Sequence, residues 1–282
     1  MGMNNLVAVT GSTGALGGST ARLLSADGLP LRLPVRDLGR APALPEATAV
    51  QCSYADRPAA VTALEGVHTL FMVSAGEAED RVDQHLTFVD AAREAGVQHV
   101  VYTSFFGAAP DATFTLGRDH WATEEHLRNS GMAYTFLRNN LYLDVLQYFA
   151  DDAGVIRGPA GTGRLAAVAR DDVAQVAAVI LRDPAAHEGK TYELTGPDSL
   201  TLTEAAAIIT AETGRDVSYQ AESVEEAYAS RQHFGVPGWQ LDAWVSTYTA
   251  IAEGGLSRVT PTVQDLTGRP ARDLASVLHP GR

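Results

Sequence analysis

The stretch VAVTGSTGALGGSTARLL, from Val7 to Leu24, decides the fold of this 282-residue chain. It sets glycines at positions 11, 14 and 17 between an apolar run and a pattern typical of a helix. A tight turn after a strand, close approach of backbone to pyrophosphate, and close packing of a helix on a sheet each require a residue without Cβ. The stretch therefore predicts a dinucleotide-binding turn at a helix N-terminus, with a plain turn that holds no ligand as the alternative. The expected cofactor contacts here are Gly11, Ser12, Thr13, Gly14, Ala15, Leu16 and Gly17.

Short apolar runs alternate with helical patterns through the first half of the chain. Their near-continuous apolar character is typical of strands buried on both faces, so the alternation predicts an α/β fold with a doubly wound parallel sheet. In the second run Pro34 lacks a backbone donor, and we expect the strand to end near Leu33 or to bulge there. The predicted strands are LVAVT (6–10), LRLPVR (31–36), HTLFMV (68–73), HVVYTS (99–104) and AYTFLR (133–138).

Amphipathic segments separate these runs. DRVDQHLTFVDAAREAG predicts a helix with Val82, Leu86 and Val89 on its buried stripe, ending at Gly96. After about residue 150 the composition changes, and KTYELTG (190–196) and TLTEAAAIITAETG (201–214) predict a further strand and helix. We therefore expect a dinucleotide-binding domain over 1–150, with returning strand segments near 165–196, and a smaller C-terminal α/β lobe over 151–282 that binds substrate.

Composition excludes several classes of function. The net charge of −13 argues against nucleic acid and anionic membranes as partners, and no apolar run has the roughly 18 residues that a membrane span needs. The chain starts without a leader pattern, which predicts a cytoplasmic protein. Cys52 is the only cysteine, and the histidines are not at ligand spacing, so we expect no metal. The stripe in WQLDAWVSTYTAIA (239–252) predicts core packing, with a homodimer face as the alternative.

The single lysine, Lys190, narrows the chemistry further. A Walker A loop needs a Gly-Lys-Ser/Thr sequence, which the chain lacks. A Tyr-x-x-x-Lys catalytic pair would require tyrosine four residues earlier, where Ala186 stands. Any reductase chemistry in this chain must therefore proceed without that pair.

The end of the second predicted strand, about 20 residues beyond the glycines, normally reads the adenosine ribose. Arg36 occupies this position and Asp37 follows it. A guanidinium pairs with a 2′-phosphate through its planar fork, whereas an acid in first place would accept from a free 2′-hydroxyl. The order favours NADP(H), and a solvent-exposed Arg–Asp pair is the alternative.

Further candidate site residues follow the other strands, because ligands of doubly wound sheets lie beyond the carboxyl ends of the strands. Tyr54 is expected to border the adenine, and two adjacent rings after the predicted strand HVVYTS (99–104) are expected to form the floor of a flat-ring pocket. For these two rings the alternative is simple packing without a ligand. The remaining expected cofactor residues are Ser74, Ala75, Thr103 and Ser104, and the expected substrate residues are Phe105, Phe106, Asn139 and Tyr142.

Several of these segments resemble one family. VTGSTGALGG, PVRD, VVYTSFFGA and HWATEEHLRNSGMAYTFLRNNLYLD resemble the NmrA-like branch of the atypical short-chain dehydrogenase/reductases, in particular the NADPH:quinone oxidoreductases of type 2 and the triphenylmethane reductases. RDDVAQVAAVIL and GKTYELTGPDSLTLTEAAAII match the later half of the group. The resemblance implies a Rossmann fold, bound NADP(H) and a substrate cleft between two lobes. The first hypothesis for the function is an NADPH-dependent reductase that transfers hydride to a quinone or similar conjugated aromatic acceptor. The branch also includes a non-catalytic NADP(H)-sensing regulator, which is the alternative function.

The resemblance also indicates a candidate catalytic residue. In the related phenylpropanoid reductases a lysine begins the helix after the fifth strand, and the matching position here is His120. A neutral imidazole near a helix N-terminus donates one hydrogen bond and accepts another, so His120 is expected to polarise or protonate the acceptor. Glu124, one turn further on, is expected to orient the ring. The alternative is a histidine without a catalytic role, since solvent can protonate a stabilised phenolate-like anion.

Overall fold

The computed structural model describes residues 6–279. The strands are β1 (Val7–Val9), β2 (Leu31–Val35), β3 (Ala47–Gln51), β4 (Thr69–Met72), β5 (His99–Phe105), β6 (Ala133–Asn139), β7 (Val155–Gly158), β8 (Arg164–Leu165), β9 (Thr191–Leu194), β10 (Leu200–Thr201) and β11 (Ser218–Ala221). The helices are α1 (Ala15–Ala26), α2 (Arg57–Leu64), α3 (Arg81–Glu94), α4 (Thr115–Arg128), α5 (Leu143–Leu146), α6 (Arg170–Arg182), α7 (Leu202–Thr213), α8 (Val224–Arg231), α9 (Gly238–Ala252), α10 (Thr262–Thr267) and α11 (Leu274–Leu278).

Seven strands form one sheet in the order β3-β2-β1-β4-β5-β6-β9. Pairing from β3 through β5 is parallel, and β1 and β4 are wholly buried. The order runs outward from β1 in both directions, so β1 and β4 flank the topological switch point at which doubly wound sheets bind ligands. The predicted doubly wound parallel sheet is confirmed.

The expectation for Pro34 is wrong. β2 continues through Pro34 to Val35, and its register with β3 is unbroken there. The pairing between β1 and β2 covers only Leu31 and Arg32. Because Pro34 lies beyond that paired part, its missing N–H interrupts no bond to β1.

The buried stripe predicted for α3 is also wrong. Val89 is buried as expected, but Val82 and Leu86 are only partly covered, and the buried face instead carries Arg81 and His85. Hydrophobic periodicity assigns charged residues to solvent, but a buried arginine is tolerated when its donors are satisfied within the protein. The contacts that satisfy these two residues belong to the candidate site.

The helix predicted to follow the glycine turn spans Ala15–Ala26 as expected. α7 also begins and ends where the sequence predicts: the Thr201 hydroxyl accepts from the Glu204 N–H in a capping box, and Gly214 ends the helix with φ of 70°. Among residues 6–279, no helix has the length and apolar character required to cross a lipid bilayer.

The chain divides into two compact units. The first unit comprises the described residues up to Ser104 together with 119–138 and 173–192, and the second comprises 105–118, 139–172 and the described residues from Glu193. Each unit has its own apolar core; Phe88, Tyr102 and Phe136 lie in that of the first. Both units are assembled from separated stretches of chain, and the division of function at residue 150 stays a prediction.

Candidate functional site

The glycine turn in the first unit brings α1 against the end of β1. Gly11 has φ of 62°, a left-handed conformation that L residues rarely adopt. A Cβ added at Gly17 would lie 2.5 Å from the carbonyl oxygens of Gly11 and Thr10. The helix therefore approaches the strand more closely than any side chain permits.

The start of α1 has the properties of an anion-binding site. Gly14 caps the helix without a side-chain hydrogen bond, and the first turn has no acidic residue. The Ser12 side chain is 3% exposed, and its Oγ has no hydrogen-bond partner among the residues that the structure describes. A buried hydroxyl without an acceptor costs free energy, and a phosphate oxygen held at the helix N-terminus would satisfy it.

A cavity of about 420 Å³ opens beside this turn, within the range of ligand-binding pockets. It brings together six of the predicted cofactor residues, namely Gly11, Thr13, Arg36, Tyr54, Ser74 and Ala75. The prediction missed lining residues such as Cys52, Ser53, Val73, Gly76, Glu77 and Gln84. Three of them, Cys52, Ser53 and Val73, directly follow the carboxyl ends of β3 and β4, which is the signal that would have identified them.

Arg36 and Asp37 are both exposed, as in the solvent-exposed pair that the sequence leaves open, but only one of them lines the cavity. The Asp37 carboxylate accepts from the Gly39 N–H at 2.9 Å and caps the short turn Leu38–Arg40. Arg36 is exposed and lines the cavity, whereas Asp37 is not in its lining. The guanidinium, rather than the carboxylate, is thus the charged group at this edge of the cavity.

The segment 73–75, which we call the cavity wall, has its backbone held by side chains. Each of its three successive N–H groups donates to a different side chain, one in the turn after β1, one on β5 and one on α3. The pairs are Val73 to Thr10 Oγ1 (2.9 Å), Ser74 to Thr103 Oγ1 (2.7 Å) and Ala75 to His85 Nε2 (2.8 Å).

Tyr54, in the loop that follows β3, supports the same wall. Its hydroxyl donates to the Val73 carbonyl at 2.6 Å and lies 2.6 Å from Thr10 Oγ1. Its ring stacks on Phe88 with centroids 4.1 Å apart. Burial raises the pKa of Tyr54, so the hydroxyl stays protonated and keeps donating.

Arg81 links the cavity wall to α4. It is 4% exposed, and it donates to the Ala75 carbonyl (3.0 Å), the Asp119 carboxylate (3.0 Å) and His120 Nε2 (2.9 Å). Because a guanidinium only donates, Nε2 of His120 must accept, and the ring proton therefore lies on Nδ1. That proton is donated to the Tyr102 hydroxyl at 2.9 Å.

His120 is thus neutral, with both ring nitrogens hydrogen-bonded inside the protein. Burial, followed by the charge of Arg81, lowers its pKa well below the usual value. The expectation that Glu124 orients the ring is wrong. The fully buried Glu124 carboxylate instead accepts from Ser104, Arg128 and Arg138, so Arg81 and Tyr102 fix the imidazole.

Thr103 and Ser104 do not line the cavity, although both are buried near the carboxyl end of β5. The Thr103 hydroxyl accepts from the cavity wall, and the Ser104 hydroxyl donates to Glu124 at 2.6 Å. Their predicted direct contacts with a cofactor stay untested, but both hydroxyls already have protein partners.

Phe105 and Phe106 line a smaller cavity of about 100 Å³ within the second unit. Phe114 completes its aromatic lining, with its ring centroid 4.7 Å from that of Phe105. The Arg258 guanidinium lies 5.1 Å from the Phe106 ring centroid. The lining is partly aromatic, and the volume is below the roughly 300 Å³ at which the usual range of ligand pockets begins.

Asn139 and Tyr142 lie together but outside the lining of that cavity. Asn139 Nδ2 donates to the Tyr142 hydroxyl at 3.3 Å, and the Arg170 guanidinium lies 4.9 Å from the Tyr142 ring centroid. Asn139 Oδ1 is buried without a hydrogen-bond partner in the described part of the chain. Residues 6–279 contain no cluster of His, Cys, Asp and Glu side chains that could hold a metal ion.

Comparisons with known proteins identify the family of this chain. The sequence model of the NmrA-like family matches residues 3–237. Quinone oxidoreductase 2 of Escherichia coli is 35% identical over 97% of this chain and 98% of its own length, and NAD(P)H azoreductase of Xenophilus azovorans is 34% identical over 96% of each.

Solved structures of two relatives superpose closely on this chain. The NADPH complex of the E. coli NADPH-dependent quinone oxidoreductase has a TM-score of 0.87 at 34% identity, covering 96% of this chain and 98% of the other. The NADP(H) complex of triphenylmethane reductase from Citrobacter sp. has a TM-score of 0.83 at 31% identity, with coverages of 96% and 98%. These matches confirm the resemblance found in the sequence.

Proposed function

Because the chain belongs to the NmrA-like family, we propose that it is an NADPH-dependent oxidoreductase that reduces a quinone or a similar conjugated aromatic acceptor. The relatives named for quinone and azo reduction support the reaction class. The observation that carries the cofactor assignment is the buried Ser12 hydroxyl, which has no hydrogen-bond partner among the described residues. It lies beside the start of α1, where the N-cap Gly14 makes no side-chain hydrogen bond. A protein that bound no anion there would gain nothing from that arrangement.

The residues of the first unit fit NADPH group by group. The α1 N-terminus and Ser12 would hold the pyrophosphate, and Arg36 would pair with the 2′-phosphate. Tyr54 would border the adenine. The cavity wall would then face the nicotinamide riboside, the uncharged half of the molecule.

When bound, NADPH supplies a hydride to the acceptor. The role of the chain is to bind and orient the reactants and to exclude water. Phe105 and Phe106 would bind the acceptor ring in the second unit. Reduction of a quinone by hydride leaves a hydroquinone anion, which takes one proton from solvent and requires no acid from the protein.

Replacement of His120 tests whether this last step uses the protein. In His120→Gln the amide oxygen can still accept from Arg81, and we expect kcat with a small quinone to fall less than about threefold, because both nitrogens of the native ring already have protein partners. Loss of a general acid would lower kcat about 100-fold or more. Steady-state kinetics distinguishes the two, and a loss of that size would restore His120 as a catalytic residue.

Ser12→Ala is expected to change cofactor affinity and stability in opposite directions. Removing an unsatisfied buried hydroxyl is expected to raise the free energy of unfolding of the ligand-free protein by about 1 kcal/mol, while NADPH binds about tenfold more weakly. Ser25→Ala is the matched control, because it removes a buried hydroxyl that donates to the Pro45 carbonyl and should lower stability without changing the NADPH Kd. Urea unfolding and calorimetry check both. A stability loss in Ser12→Ala would contradict the assignment.

The proposed function itself is tested by following NADPH oxidation across quinones, azo dyes, triarylmethane dyes and enones. Turnover with at least one quinone or dye is the expected result. Tight cofactor binding without turnover on any acceptor would favour the NADP(H)-sensing alternative. Absence of calorimetric heat with either nicotinamide coenzyme would refute cofactor binding altogether.

A further inference from the structure

The first unit buries two polar side chains of α3 that the reduction chemistry does not use. His85 is fully buried and Arg81 is 4% exposed, and both contact the same residue of the cavity wall. Nε2 of His85 accepts from the Ala75 N–H at 2.8 Å, and Nε of Arg81 donates to the Ala75 carbonyl at 3.0 Å. Both peptide groups of one residue in a cavity lining are therefore fixed by one helix.

The tautomer of His85 follows from these contacts. A backbone N–H donates to Nε2, so the proton lies on Nδ1, which donates to Thr123 Oγ1 at 2.9 Å. The Thr123 hydroxyl in turn donates to the Asp119 carbonyl at 2.8 Å. Burial, then the charge of Arg81, lowers the pKa of His85 to about 3, so the ring remains an acceptor toward Ala75 across the neutral range.

The wall and the glycine turn thus offer a ligand opposite properties. The turn presents a helix N-terminus and an unsatisfied hydroxyl, which suit an anion. The N–H groups of the wall already donate to Thr10, Thr103 and His85, so they are not available to bind a phosphate. It offers a rigid surface for an uncharged group.

We propose that His85, Arg81 and Thr103 are positioning residues that fix the cavity wall against the nicotinamide half of NADPH, a role that rests on the proposed function. None of the three lines the cavity. Each acts through the backbone of Ser74 or Ala75. Their loss should weaken binding of the complete cofactor and spare its adenosine half, whose anionic groups are held at the turn and at Arg36.

Two replacements of His85 test this role. Asn places its amide near the Nδ1 position and loses the contact with Ala75, whereas Gln places its oxygen near the Nε2 position and can keep it. We expect His85→Asn to raise the NADPH Kd about tenfold and leave the Kd of adenosine 2′,5′-bisphosphate within about twofold, and His85→Gln to recover most of the NADPH affinity. The control is His126→Asn on α4, a half-exposed histidine bonded to Asp90, which should change neither value.

Thr103 provides a second pair should His85→Asn fail to fold. Thr103→Val keeps the shape but removes the acceptor for the Ser74 N–H, and Thr103→Ser keeps the acceptor. The same selective loss of NADPH affinity is expected in the valine variant, with recovery in the serine variant. Equal losses for NADPH and adenosine 2′,5′-bisphosphate, or no loss, would overturn the positioning role alone. Failure of the unmodified protein to bind either ligand would overturn the proposed function.

Discussion

Gly17→Ala is expected to raise the Kd for NADPH at least 100-fold. The added methyl would lie 2.5 Å from the carbonyl carbon and oxygen of Gly11 and from the carbonyl oxygen of Thr10. These are backbone atoms of the turn that follows β1, and no side-chain rotation relieves the overlap. The start of α1 must move outward, which carries its N-terminal amides away from the pyrophosphate and widens the turn.

The same displacement should destabilise the ligand-free protein by about 1 to 3 kcal/mol, the usual cost of overpacking. Gly238→Ala is the matched control, since that glycine has a negative φ and begins α9, and within residues 6–279 its added Cβ has no neighbour within 4 Å apart from the adjoining chain and its own helix backbone. It should leave both NADPH affinity and stability nearly unchanged. Calorimetry and urea unfolding on both variants check the comparison. A Gly17→Ala protein that binds NADPH normally would show that the helix start is not the phosphate site.

The glycine turn and the sheet could be read from the sequence because their requirements are local. Position 17 requires a residue without Cβ, and position 11 requires a left-handed backbone. Glycine meets both requirements, and it is visible at those positions in the sequence. Continuous apolar runs likewise mark buried parallel strands without reference to the rest of the chain. For the same reason Arg36 could be placed at the cavity, since it follows directly from the end of β2.

The support behind the cavity could not be read in this way. Arg81 and His85 occupy the buried face of α3, but a hydrophobic-period analysis assigns charged and polar residues to solvent. Their burial becomes favourable only through partners far along the chain: His120 is 39 residues from Arg81, and Thr123 is 38 from His85. The prediction that Glu124 orients the His120 ring is wrong for the same reason. Its carboxylate accepts a hydrogen bond from Arg138, which lies on a different element, β6.

Arg36→Ala is expected to remove the preference for NADPH over NADH. A guanidinium paired with the 2′-phosphate forms charge-assisted hydrogen bonds, and its loss should raise the NADPH Kd about 100-fold, equivalent to about 2.7 kcal/mol. NADH lacks that phosphate, so its Kd should change by less than about threefold. Calorimetric titration of both coenzymes gives the two values directly. Equal losses for NADPH and NADH would mean that Arg36 shapes the cavity without recognising the phosphate.

Two neighbouring replacements decide whether the effect belongs to Arg36. Arg40→Ala removes an exposed guanidinium four residues later that does not line the cavity, and it should leave the ratio of NADPH to NADH affinity within about twofold. Asp37→Asn removes the charge from a carboxylate already bonded to the Gly39 N–H, and it should not weaken NADH binding. If it did, Asp37 would be accepting from the free 2′-hydroxyl of the ribose. Asp37 would then have to break its hydrogen bond to the Gly39 N–H, which caps the turn Leu38–Arg40, in order to bind NADH. The apparent affinity for NADH would be lowered by the free energy of that hydrogen bond.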